Sequence, residues 1–204
     1  MPSTESARLV ILDPSAFYYH AMQSALASNF DGIIIHACNE TTAQEAIDPH
    51  GRALILISPN WDPPEALRLC RALRQASPST RIVIMSVAAD QTLFQTDAAY
   101  SGAGACLAAT ADTKTIAVAL RQVERGATLF APDVLRAAHR LPKLTQRELE
   151  LLRALAQEKT DREIADELYL SEHTVGAHLR NIFRKLEVHG RREAVRRARH
   201  RGWV

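Results

Sequence analysis

Residues 53–60 read ALILISPN. Leu54, Ile55, Leu56 and Ile57 make an unbroken apolar run of strand length, and Pro59 cannot donate a further ladder bond, so the run ends on Ser58. A strand without alternating polar residues is covered on both faces, as in a parallel sheet between helical layers. In such a sheet ligands and reactive groups gather at the carboxyl ends of the strands. Ser58 stands at one of those ends.

Four more runs of the same kind flank it: RLVILD (8–13), GIIIHAC (32–38), RIVIMS (81–86) and ACLAA (105–109). The stretches between them carry helical spacing, as in Ala66, Leu69, Cys70 and Leu73, or Ile116, Ala119, Leu120 and Val123. Alternating strands and helices predict an α/β unit over residues 1–126, a five-stranded doubly wound parallel sheet. Its last helix should span about Asp112 to Arg125 and stop at Gly126. Residues 127–143 form a connector holding one short helix, PDVLRAAHR, opened by Pro132 and closed by Pro142. The connector is not rich in Gly or Ser, which predicts a semi-ordered hinge rather than a loose tether.

From residue 144 to 204 the pattern is wholly helical. Thr145-Gln-Arg-Glu148 and Thr160-Asp-Arg-Glu163 are capping boxes, Ser171 is a third N-cap candidate, and a fourth helix follows Gly190 over Arg191 to His200. Charge divides with the units. Residues 1–140 hold 11 basic and 13 acidic side chains, residues 141–204 hold 14 and 10, and from Ser171 onward nine basic groups face three acids. That local excess points to a polyanionic partner.

No apolar run approaches the roughly 18 residues needed to span a bilayer, and the start MPSTESARLV lacks a basic segment followed by a long apolar one, so a cytoplasmic protein is expected. Cys38, Cys70 and Cys106 are odd in number and set within apolar segments, which fits reduced thiols packed as small hydrophobes. No metal-ligand or triad spacing is present, and neither a metal nor another cofactor is expected.

On the helix from Ser171, residues Val175, Leu179, Ile182, Phe183 and Leu186 share one face, turned toward Ile164, Ala165 and Leu168. The other face carries His173, Gly176, Ala177, Arg180 and Arg184, small near the amino end and cationic beyond. A helix that enters a major groove and grips phosphates alongside would look so, although solvated charge alone would also account for the arginines. Residues 144–195 resemble the LuxR-type DNA-binding domain of FixJ-like and NarL-like response regulators. The resemblance rests on LT..E, EIA..L, S..TV..H, I..KL and R..AV. It implies a four-helix, helix-turn-helix unit that binds double-stranded DNA. It also implies that Gly176, Ala177 and Arg180 face bases, that Thr174 and Lys185 lie near phosphate beside Arg184, and that His178 packs or meets phosphate. Tyr169 departs from the pattern, standing in the turn where Gly is common; a left-handed backbone there would cost about 1–2 kcal/mol.

The first unit resembles, in strand order and length, the flavodoxin-like receiver domain of the same family. Receivers need an aspartate after the third strand as phosphoryl acceptor, acids after the first to hold Mg²⁺, a hydroxyl after the fourth and a lysine after the fifth. Here the positions hold Asp13 followed by Pro14, then Ser58, Ser86 and Ala109, a degenerate phosphorylation site. Cys106 stands where many receivers have an aromatic residue.

The expectation is therefore a sequence-specific transcriptional regulator, active as a homodimer, not an enzyme, whose atypical receiver works independently of phosphorylation. A small molecule or a protein effector at the strand ends remains open, with Trp61 either stacking on a ligand or packing. The Ala-rich segment from Asp97 to Leu120 either packs two subunits together or is ordinary helix, and in this family the last helix often joins DNA-binding domains. The alternative is a conventional response regulator phosphorylated at a non-standard residue, Asp13 and Asp62 being the nearby acids. An α/β enzyme using Ser58 or Ser86 is disfavoured, because no Gly-rich elbow surrounds either serine.

Overall fold

Strands β1 (Ala7–Leu12), β2 (Gly32–Ala37), β3 (Leu54–Ile57), β4 (Arg81–Ser86) and β5 (Ala105–Ala108) pair in parallel in the order β2-β1-β3-β4-β5. The computed structural model describes residues 7–28, 30, 32–47 and 53–204, so the leading segment MPSTES lies outside the described residues. The chain divides into two units, Met1–His139 and Arg140–Val204.

Register explains how the sheet builds two cores at once. Leu9 lies beside Leu54, and Leu12 beside Ile57, which in turn lies beside Ile84. Successive side chains point to opposite faces. Val10, Leu12, Ile55, Ile57, Ile82 and Ile84 therefore meet residues of α2 (Glu40–Ala46), α3 (Pro63–Ala76) and α4 (Thr92–Tyr100). Leu9, Ile11, Leu54, Leu56, Val83 and Met85 meet α1 (Ala16–Leu26) and α5 (Thr113–Glu124). Each fully buried Leu or Ile contributes about 1.5–3 kcal/mol, so central strands without polar residues are what this layering needs. Helix α5 ends as expected, with Gly126 at φ 91°.

The connector differs from its expectation. Helix α6 (Pro132–Arg140) follows Phe130, and both Phe130 and Val134 belong to the same buried cluster as Ile55 and Ile82. The Leu129 amide also donates to Gly104 O at 2.8 Å. An amphipathic segment with an aromatic anchor buries that face on the nearest core instead of remaining a hinge. Cys38 differs too: it is exposed just beyond β2, whereas Cys70 is buried and Cys106 partly so.

In the second unit, α7 (Gln146–Ala156), α8 (Asp161–Leu168), α9 (Glu172–Leu186) and α10 (Arg191–His200) begin where their caps place them. Thr145 with Glu148 and Thr160 with Glu163 close capping boxes, and the Ser171 side chain accepts from the Thr174 amide. Tyr169, in the turn between α8 and α9, is left-handed at φ 54°, ψ 48°. The apolar residues of α10 turn toward α7 and α9 of their own unit: Ala194 and Ala198 are fully buried and Val195 is half-buried. Arg199 donates to Ala156 O at 3.0 Å, and Arg191 and Arg197 hold the carbonyls of Lys159 and Leu186.

Candidate nucleic-acid interface

Helix α9 packs on α7, α8 and α10, and its Val175, Leu179, Ile182 and Leu186 are all buried, as are Ile164 and Ala165 of α8. That seating turns the opposite face outward. His173, Arg180, Asn181 and Arg184 are exposed, while Gly176, Ala177 and His178 are half-buried. Arg184 donates to Asn181 Oδ1 at 3.1 Å, whereas Arg180 forms no ion pair among the described residues. Thr174 is drawn back toward the helix start, its hydroxyl 2.8 Å from Ser171 Oγ.

Lys185 does not share this free face. Its Nζ donates to Glu148 Oε2 at 2.7 Å and to Lys143 O at 3.2 Å. The same Oε2 accepts the Thr145 amide at 2.7 Å. Burial alone would push the Glu148 carboxyl up. The Lys185 hydrogen bond, the Thr145 amide and the ammonium charge outweigh that and hold it below its ordinary value of 4.5. Glu148 and Lys185 are 37 residues apart, and no local pattern in the sequence announces the pair. Arg147 adds a second tie, donating to Leu168 O at 2.6 Å and so bracing the end of α8.

The strand ends of the first unit form a separate cluster. Asp13 is fully buried: Oδ1 accepts the Ser15 amide at 2.6 Å, and Oδ2 accepts Asn60 Nδ2 at 2.8 Å. His36 Nε2 donates to Asp13 O at 3.0 Å. Ser58 is buried, with Oγ accepting the Asn60 amide at 3.3 Å. Ser86 Oγ accepts the Ala88 amide at 3.1 Å, and the Ala109 amide donates to Ser86 O at 3.1 Å. Both serine hydroxyls thus serve their own turns. Trp61 folds over the site, with Nε1 donating to Leu12 O at 3.1 Å and its ring against the core beneath α3. Tyr18 closes another side, its hydroxyl directed at the Met85 sulfur at 3.4 Å, and burial with the nearby Asp13 charge pushes its pKa up to about 12. Asp62 is exposed at the start of α3. Burial likewise pushes the Cys70 and Cys106 thiols up to about 12, so at neutral pH both are protonated and poorly nucleophilic.

Among the described residues no group of three or more His, Cys, Asp or Glu side chains could hold a metal, and no helix is long and apolar enough to cross a membrane. Residues 142–198 match the profile of bacterial regulatory proteins of the luxR family. Over longer stretches the chain is similar to the response regulator protein VraR of Staphylococcus aureus, at 30% identity over 151 residues, 70% of this chain and 71% of that one. It is also similar to the transcriptional regulatory protein DegU of Brevibacillus brevis, at 24% identity over 97% of this chain and 94% of that one. A structure of RcsB from Salmonella enterica serovar Typhimurium bound to promoter rprA shares the fold, with a TM-score of 0.51 at 15% identity, covering 95% of this chain and 98% of that one.

Proposed function

The chain belongs to the LuxR family of response regulators, DNA-binding regulators of transcription, and from that premise we propose that its receiver-like unit acts without phosphorylation. The observation that carries the reading is the state of Asp13. Its carboxylate is already satisfied by the Asn60 side-chain amide and the Ser15 backbone. A divalent cation asks for about six oxygens, several of them charged, and here an N–H occupies the carboxylate while Pro14 and Ser58 add no charge. The residues present do not fit Mg²⁺. A serine hydroxyl without an adjacent base is also a poor phosphoryl acceptor, and Ala109 offers no cation to balance one.

In the DNA-binding unit, Arg180, Gly176 and Ala177 meet base edges in the major groove, with Thr174 and Arg184 near the phosphates. Lys185 serves the same surface indirectly, by fixing α9 to α7. A single module with so few base contacts has limited affinity, so a homodimer on two half-sites is proposed, the second site adding its binding energy to the first. Trp61 is a wall of the strand-end site and not a platform for a ligand.

The test is intact-mass measurement of the full chain after acetyl phosphate and Mg²⁺, with DNA affinity measured alongside. No phosphoryl increment and no change in affinity are expected. An increment on Asp13 or Asp62, with a gain in affinity, would replace this reading with that of a conventional switch.

A further inference from the structure

Gly176 is costly where it stands. In a helix interior glycine is about 1 kcal/mol less favourable than alanine, and Gly176 lies within α9 without the positive φ that would call for glycine. Packing does not demand it either. A Cβ built there would meet Arg180 Nη1 at 3.5 Å, an ordinary contact, and comes near no other side chain or neighbouring element. What glycine leaves open at this position is therefore the space beside one guanidinium.

Helix geometry explains the neighbour. Residues i and i+4 stand one above the other, and long helical side chains lean back toward the amino end. Arg180 accordingly reaches from its own turn to the bare backbone at Gly176. Its charge is thereby carried toward the amino-terminal half of the helix, where Ala177 supplies only a methyl group. A longer side chain at 176 would compete with the guanidinium for one corridor, whereas a single methyl would not.

We propose that Gly176 is a specificity-determining residue that works by what it lacks: it keeps the corridor clear through which Arg180 takes a guanine edge, with the Ala177 methyl set against a neighbouring thymine methyl. This rests on the reading that α9 faces the major groove. An arginine fork matches guanine O6 and N7, and alanine suits the thymine C5-methyl. Each half-site then has one dominant guanine, read by one side chain whose path a second residue protects. The helix gives up intrinsic stability at 176 to keep that path.

The experiment is selection of bound DNA from a random pool by the full chain, followed by affinities on the selected site and on random duplex. The proteins are wild type, Gly176→Ala, Gly176→Met, Arg180→Ala and the double variant Gly176→Met/Arg180→Ala. Arg180→Ala should lose the guanine preference and bind the selected site roughly 10- to 100-fold more weakly, with little change on random DNA. Gly176→Ala should keep the preference, with affinity within about twofold, and melt at a higher temperature. Methionine brings neither charge nor donor but fills the corridor, so Gly176→Met should lose the guanine preference while folding at least as stably as wild type. The double variant should bind no worse than Arg180→Ala, because the two residues share one space. Retention of the guanine preference by Gly176→Met, or losses that multiply in the double variant, would overturn the proposal while leaving α9 as the reading helix. If neither Gly176→Met nor Arg180→Ala changes DNA binding, the groove assignment itself fails and the proposal fails with it.

Discussion

Tyr169 holds φ 54° and is 96% exposed. A left-handed conformation costs a non-glycine residue about 1–2 kcal/mol, and an exposed ring recovers almost none of it by burial. Glycine at 169 would remove that strain but lose about 0.5–1 kcal/mol to its greater freedom when unfolded. Tyr169→Gly should thus raise the stability of the second unit by about 0.5–1 kcal/mol, visible as a higher melting temperature; a fall would mean that the ring holds the turn. Glu148 gives the corresponding statement about pH. Its folded carboxyl lies below the ordinary value, so its contribution to stability is complete above the unfolded value near 4.5 and is lost as pH falls through the folded one. Acid melting curves of Glu148→Gln should accordingly be flatter than wild type below about pH 4.5. Lys185→Ala should cost about 1–2 kcal/mol at neutral pH, less than a wholly buried pair because the ammonium is partly exposed. It should also weaken DNA binding in proportion to the unfolded fraction, whereas loss of a phosphate contact would weaken binding without lowering the melting temperature.

Helix α6 and its approach belong to the first core through Phe130, which is 8% exposed. Phe130→Ala should therefore destabilise the first unit by about 3 kcal/mol, measured by denaturant unfolding, and expose residues 127–139 to protease. A floppy connector would show neither effect. Elements were legible in the sequence wherever a local rule decides them. The strands carry continuous Ile, Leu and Val because both their faces are covered, and α7, α8 and α9 begin at Thr145, Thr160 and Ser171 because a hydroxyl there satisfies orphan amides. What stayed hidden depends on distant partners. The seat of Phe130, the inward turn of Ala194 and Ala198, and the bond between Glu148 and Lys185 each need the tertiary fold to bring remote segments together. The outer face of α9 was half legible: its residues follow from helical spacing, but the approach of Arg180 to Gly176 depends on a side-chain direction that spacing does not give. Glu148 also couples two elements, since one oxygen closes the α7 cap and holds α9. The Thr145 amide should exchange with solvent as slowly as the interior amides of α9.

Across the whole molecule, an output unit with a free cationic helix face is joined to an input unit whose strand ends are internally satisfied. On the proposed reading, acetyl phosphate leaves the oligomeric state unchanged, as sedimentation velocity would register, and a regulatory input has to act by binding or by abundance. The hydrogen bond from Asn60 to Asp13 then bears on time. An acyl phosphate hydrolyses and so gives a switch its own decay, but an amide resting on a carboxylate has nothing to discharge. A signal carried by such a chain would last as long as its effector stays bound or its copies persist, and only dissociation, dilution by growth or destruction of the protein would erase it.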